Sequence, residues 1–206
     1  MPAHGFSRTA KFEFISQKEL DDSTTEVILR LSDSKESREI WDYKFELDVV
    51  FLISESLTVK MITKNNDSKE FMITEALHTY FSVSHIDDVI VHGLEEKCYI
   101  DTLDDTRVTQ TGSLTVDAEC DRVYLGVDKE IVLEDARKKV NINAVGSSSA
   151  VVWNPWIEKG SKMSGMKADA YKEFICIETA NAFDDFRVIK PRESHTLGVT
   201  ISLEEV

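Results

Sequence analysis

One histidine interrupts the apolar, β-prone stretch FMITEALHTYF at residues 71–81, and one glutamate closes off the apolar run in EFICIETA at 173–180. An imidazole and a carboxylate facing one pocket can serve as general acid and general base near neutral pH. His78 and Glu178 are the candidates for those roles. A carboxylate at the end of an apolar strand is costly to bury unpaired, and desolvation raises its pKa. Strand parity puts His78 on the face of Ala76 and Tyr80, opposite Leu77 and Phe81. Parity leaves open whether the two groups meet. His78 could instead be a hydrogen-bonded core residue, and Glu178 a strand end turned to solvent.

The elements that would carry such a pair are strands. Leu57, Val59 and Met61 alternate with Thr58 and Lys60, and Val140, Ile142 and Ala144 alternate with Asn141 and Asn143. Leu197, Val199, Ile201 and Leu203 repeat the pattern near the C-terminus. This period of two predicts half-buried strands. Turn clusters separate them at 64–70, 102–106 and 134–139. Phe174, Ile175, Cys176 and Ile177 are apolar at every position, as a strand covered on both faces requires. A short helix is expected over 33–41 with Asp33 or Ser34 as its cap, and a helical turn just before Tyr171. Many strands and little helix predict an antiparallel sandwich or barrel, read as a single domain over residues 1–206.

Composition narrows the partners. The chain has 206 residues, a net charge of −14 and 30% charged side chains, which argues against nucleic acid as a ligand. An anionic ligand would need a local cationic group. Cys98, Cys120 and Cys176, like His4, His85, His92 and His195, fit no metal-ligand spacing, so no metal is expected. The longest strongly apolar run, VVFLI at 49–53, is too short for a membrane-spanning helix, and no membrane partner is expected. Sparse cysteines and no evident secretion signal lead to the expectation of a reducing, cytoplasmic compartment.

HGFSR at 4–8, ALHTYF at 76–81, CDRVYL at 120–125, VVWNPW at 151–156 and YKEFICIETA at 171–180 occur in that order. Together they resemble the hexose-6-phosphate 1-epimerase family, which is similar to aldose 1-epimerases and includes apospory-associated protein C-like proteins. The resemblance implies an all-β, galactose-mutarotase-like antiparallel β-supersandwich and a hexose 6-phosphate as ligand. By that resemblance His78 protonates the sugar's ring oxygen and Glu178 removes the proton from the anomeric hydroxyl. Asp121 holds sugar hydroxyls and Arg8 contacts the 6-phosphate, where a guanidinium fork suits phosphate oxygens. The reaction moves only protons, so no cofactor is implied. Catalytic side chains on opposite sides of a sugar-sized space are the expected geometry.

Departures from the family pattern carry their own expectations. The family has an upstream Gly-Gly-containing, Pro-rich segment with a second phosphate-contacting arginine, whereas this chain opens MPAHGFSR. Ala3 stands where a substrate-touching glutamine is common, and MSGMKADAYK replaces an acidic run. The resemblance thus implies a supersandwich lacking its first strands, with exposed edges and a homo-oligomer to cover them. A non-catalytic sugar-phosphate-binding relative is the alternative. Trp153 and Trp156 are expected to form a structural corner, and Lys159, Lys162, Lys167 and Lys172 a solvated loop. Asp121 and Arg122 could instead form a local surface ion pair.

Overall fold

Antiparallel hairpins build almost everything. The computed structural model describes residues 4–205, so Ala3 lies outside the described residues. In chain order the first strands are β1 (Glu13–Glu19), β2 (Thr25–Ser32), β3 (Phe45–Ile53) and β4 (Leu57–Asn65). Then come β5 (Phe71–Ile73), β6 (Glu75–Leu77), β7 (Tyr80–Ser82), β8 (Ile90–His92), β9 (Cys98–Asp101) and β10 (Thr106–Thr109). The remaining strands are β11 (Cys120–Leu125), β12 (Ile131–Glu134), β13 (Lys138–Val145), β14 (Ser149–Asn154), β15 (Phe174–Asn181), β16 (Arg187–Ile189) and β17 (Ser194–Glu205). Helix α1 (Lys35–Ile40) sits between β2 and β3, and α2 (Trp156–Lys162) between β14 and β15.

The strands form an eight-stranded sheet in the order β1-β2-β3-β4-β17-β13-β12-β8 and a seven-stranded one running β10-β9-β11-β14-β15-β6. In the second sheet β7 also pairs with β15, and a small third sheet joins β16 to β5. The main core lies between the two large sheets. Ile131, Leu133, Val140, Ile142 and Val199 of one pack with Tyr124, Val152, Ile175 and Ile177 of the other. A second cluster, Leu31, Phe45, Leu47, Phe71 and Ile189, underlies the β1–β4 half of the larger sheet.

Local chemistry explains the departures from simple strand patterning. Helix α1 begins where Ser34 and Ser37 cap each other: the Ser37 N–H donates to Ser34 Oγ (3.1 Å) and the Ser34 N–H to Ser37 Oγ (2.8 Å). The stretch 71–81 is not one strand but three. β5 pairs with β16, whereas β6 and β7 both pair with β15. Between them the Thr79 N–H donates to the Leu77 carbonyl (2.9 Å), a tight turn that interrupts the strand at His78 and Thr79, although the Thr79 carbonyl still accepts from the Ile177 N–H of β15 (3.3 Å). Lys159 and Lys162 lie on α2 rather than in a loop, a correction to the sequence reading. Trp156 does serve as a structural corner, its ring 5.3 Å from that of Tyr171. Phe174–Asn181 is buried along its entire length, as its sequence required.

Candidate active site

The register of the short strands brings the candidate pair together. Leu77 faces Thr179 and Tyr80 faces Cys176, so the same register carried across the interruption sets His78 opposite Glu178. The side chains touch: His78 Nε2 lies 3.2 Å from Glu178 Oε1. They stand beside each other, not on opposite sides of a sugar-sized space as the sequence reading anticipated. Side-by-side placement suits a carbon that carries two oxygens, each exchanging a proton. The tight turn at Thr79 is what frees the imidazole from strand geometry while keeping it on the rung.

Burial sets the protonation of both groups. The Glu178 carboxyl is pushed up to about 7 by desolvation, with the negative charge of Asp121 adding to the effect. His78 moves the opposite way, lowered first by burial and then by the neighbouring His4. Both shifts favour the uncharged form of each group, so the pair titrates as a unit instead of forming a permanent ion pair. His78 Nδ1 is buried without a partner. The tautomer with its proton on Nε2 therefore leaves no N–H orphaned and directs that proton at Glu178. The imidazole is held in place by aromatic rings. Tyr80 stacks on it at 5.0 Å and 9°, and Trp153 meets it edge-on at 6.2 Å.

A cavity of about 650 Å³ opens onto the pair. Its polar lining includes His4, Arg8, Thr63, Glu75 and Asn181 alongside His78 and Glu178, and its apolar wall includes Trp41, Phe45 and Met61. Arg8 is exposed on a turn of 3₁₀ helix and has no ion-pair partner among the described residues. Asp121 does not line this cavity, although its charge reaches both Glu178 and His78. It lies opposite Trp153 on β11, with Lys159 Nζ 3.8 Å from its carboxylate. The local Asp121–Arg122 ion pair does not form. Arg122 turns instead toward Asp101 (3.7 Å) and lies over the Tyr99 ring. Among the described residues no cluster of three or more His, Cys, Asp or Glu side chains is arranged to hold a metal ion.

Sequence reasoning missed four residues around this site. His4, left as an ordinary residue, places its ring 6.1 Å from that of His78. His195, also passed over, lies with Nε2 2.9 Å from Asn181 Oδ1 and 3.6 Å from Glu75 Oε1. Asn181 and Glu75 carried one usable signal: each is a polar residue inside an apolar strand pattern, three positions from Glu178 and His78 respectively.

Comparison with known proteins bears on family and fold. The family model described as aldose 1-epimerase matches residues 1–202. A Cenchrus ciliaris protein provisionally named glucose-6-phosphate 1-epimerase is 36% identical over 175 residues, covering 81% of this chain and 53% of that protein. An Escherichia coli protein of the same provisional name is 33% identical over 201 residues, covering 95% of this chain and 66% of the relative. The chain thus spans between about half and two-thirds of the length of these relatives. A solved structure from Salmonella typhimurium, provisionally named a mutarotase, superposes with a TM-score of 0.92 at 28% identity. That match covers 100% of this chain and 69% of the other.

Proposed function

The chain belongs to the aldose 1-epimerase family and has the galactose-mutarotase-like β-sandwich fold, and on that premise we propose that it interconverts the α and β anomers of a hexose 6-phosphate. The observation that carries the proposal is the 3.2 Å contact between His78 Nε2 and Glu178 Oε1 at the wall of a sugar-sized cavity. The pair reacts in the form with its proton on His78: the imidazolium donates from Nε2 to the ring oxygen while the Glu178 carboxylate accepts the proton of the C1 hydroxyl. The C1–ring oxygen bond breaks and C1 becomes the aldehyde. Rotation about C1–C2 and reclosure, with the proton transfers reversed, gives the other anomer. Each positioned acid or base contributes about 10²–10⁴-fold.

Phosphate recognition is assigned to Arg8, an exposed cation on the cavity's lining in a chain of net charge −14. The relatives' provisional names point to the same ligand class. Asp121 acts from beyond Trp153 as a hydroxyl-holding group at the rim. Residues 1–206 operate as one domain, and the working form is a homo-oligomer. The test is two-dimensional NMR exchange between the anomers of glucose 6-phosphate. Exchange well above the buffer rate is expected. Binding without exchange would make the chain a non-catalytic sugar-phosphate-binding relative instead.

A further inference from the structure

Behind the candidate pair lies a second buried cluster of titratable groups that the proton transfers do not use. Glu75 and Asn181 face each other across β6 and β15, three residues before His78 and three after Glu178. Odd spacing along β15 turns Asn181, and with it the facing Glu75, toward the larger sheet, where both still border the same cavity. There Thr63 Oγ1 on β4 donates to Glu75 Oε2 (3.0 Å), and His195 on β17 reaches both Asn181 and Glu75. The Glu75 side chain is nine-tenths buried, and its Oε1 has no hydrogen-bond partner.

The hydrogen-bond inventory fixes the His195 proton. Asn181 Nδ2 donates to the Gly146 carbonyl and to Asp185 Oδ2 (2.9 Å each). Its Oδ1 is therefore the atom facing His195, and Nε2 of the imidazole must carry hydrogen. That N–H has two acceptors within reach, Asn181 Oδ1 at 2.9 Å on β15 and Glu75 Oε1 at 3.6 Å on β6. We propose that Glu75, acting through His195, is a positioning residue whose ionisation shifts this proton from β15 toward β6 and so sets the approach of His78 to Glu178. The inference deepens the proposed reaction and rests on that reading of the site.

The charges around the cluster favour a responsive state over a locked one. Burial holds the Glu75 carboxyl at about 7, against the lowering effects of the Thr63 hydrogen bond and then of Arg187, whose Nη1 donates to Asp185 Oδ1 (2.8 Å). Burial and Arg187 push His195 down, against a smaller opposing effect of Asp185. Near pH 7 His195 is therefore mostly neutral while Glu75 is divided between its acid and carboxylate forms, and the neutral carboxyl leaves the Nε2 proton on Asn181. Ionised Glu75 is a far stronger acceptor, and a buried carboxylate lacking a donor for one oxygen is costly. Strand β6 pairs with β15 over only Glu75–Leu77, so a pull at Glu75 is opposed by few ladder bonds before it reaches His78.

The experiment follows the His78 imidazole by ¹H–¹⁵N NMR from pH 5 to 9 in the E178Q background, where the ionisation of Glu178 is absent. Besides its own titration, His78 should show a second inflection near pH 7, shared with His195. Adding Glu75→Gln should remove that inflection from both rings. Adding His195→Gln instead should remove it from His78 while Glu75 still titrates. A His78 titration curve unchanged by both substitutions would overturn the proposal. The readout requires no turnover, so its failure is distinguishable from an absence of anomer exchange in the parent chain.

Discussion

At the scale of single residues, the site's chemistry depends on what burial does to protons. His78→Asn and Glu178→Gln should each lower anomer exchange by about 10²-fold or more while thermal unfolding stays cooperative. Exchange near the parent rate in either variant would remove that residue from the mechanism. Glu178 also links stability to pH. Its carboxyl rises from the ordinary 4.5 to about 7 in the folded chain, so the native state holds a proton that the unfolded chain has released. The associated stability is fully present below about pH 4.5 and is lost as the pH climbs to about 7. Glu178→Gln removes that loss. Relative to the parent, the variant's melting temperature should therefore improve between pH 4.5 and 7 and then stay level. A difference independent of pH would show that Glu178 ionises as an ordinary surface carboxylate.

Elements matter here chiefly where a turn places a side chain that a continuous strand could not. Gly146 ends β13 with φ +74°, and a Cβ there would run into the Thr196 carbonyl of β17. Its own carbonyl accepts hydrogen bonds from Asn181 Nδ2 (2.9 Å) and Arg187 Nη2 (3.1 Å). Gly146→Ala should therefore cost about 2 kcal/mol or more by chemical denaturation, and should disturb the His195 resonances as well. The cap of α1 is a contrasting case. Ser34→Ala removes one side of a reciprocal cap on an exposed helix and should cost about 1 kcal/mol, with the site's resonances unmoved.

For the whole molecule, charge and sheet edges dominate. A net charge of −14 repels a sugar phosphate, so affinity must come from a local contact. Charge-assisted contacts to phosphate are worth about 1.5–3 kcal/mol, so Arg8→Ala should weaken glucose 6-phosphate binding by roughly 10- to 150-fold in calorimetry. Binding of unphosphorylated glucose should hardly change. Equal losses for both sugars would mean that Arg8 does not read the phosphate. Among the described residues nothing pairs with the outer edge of strand β1, where Phe14 is 60% exposed near Ile15 and Leu20. Such an edge invites pairing between chains, and the expected consequence is concentration-dependent self-association in light scattering, reduced by Phe14→Lys. A monomer at high concentration would count against the homo-oligomer.

The sequence by itself determined the elements whose pattern is local. Alternation over 57–61 and 140–144 became β4 and β13, the apolar run at 174–177 became the wholly buried β15, and the serine cap started α1. It also nominated His78 and Glu178, because an imidazole and a carboxylate are conspicuous in apolar strands. Their meeting was decided only by the tertiary structure, since it depends on one antiparallel register continuing through a two-residue interruption. The division of 71–81 among two sheets was equally invisible, because β-propensity does not reveal which strand a segment pairs with. The cluster of Glu75, Thr63, Asn181 and His195 gathers side chains from four strands and two sheets. Thr63 and His195 are ordinary polar residues in their own segments, and Glu75 and Asn181 stand out only as polar positions in apolar strands. What makes them a unit is loss of water between packed sheets, a property of the assembled fold that no local stretch of chain possesses.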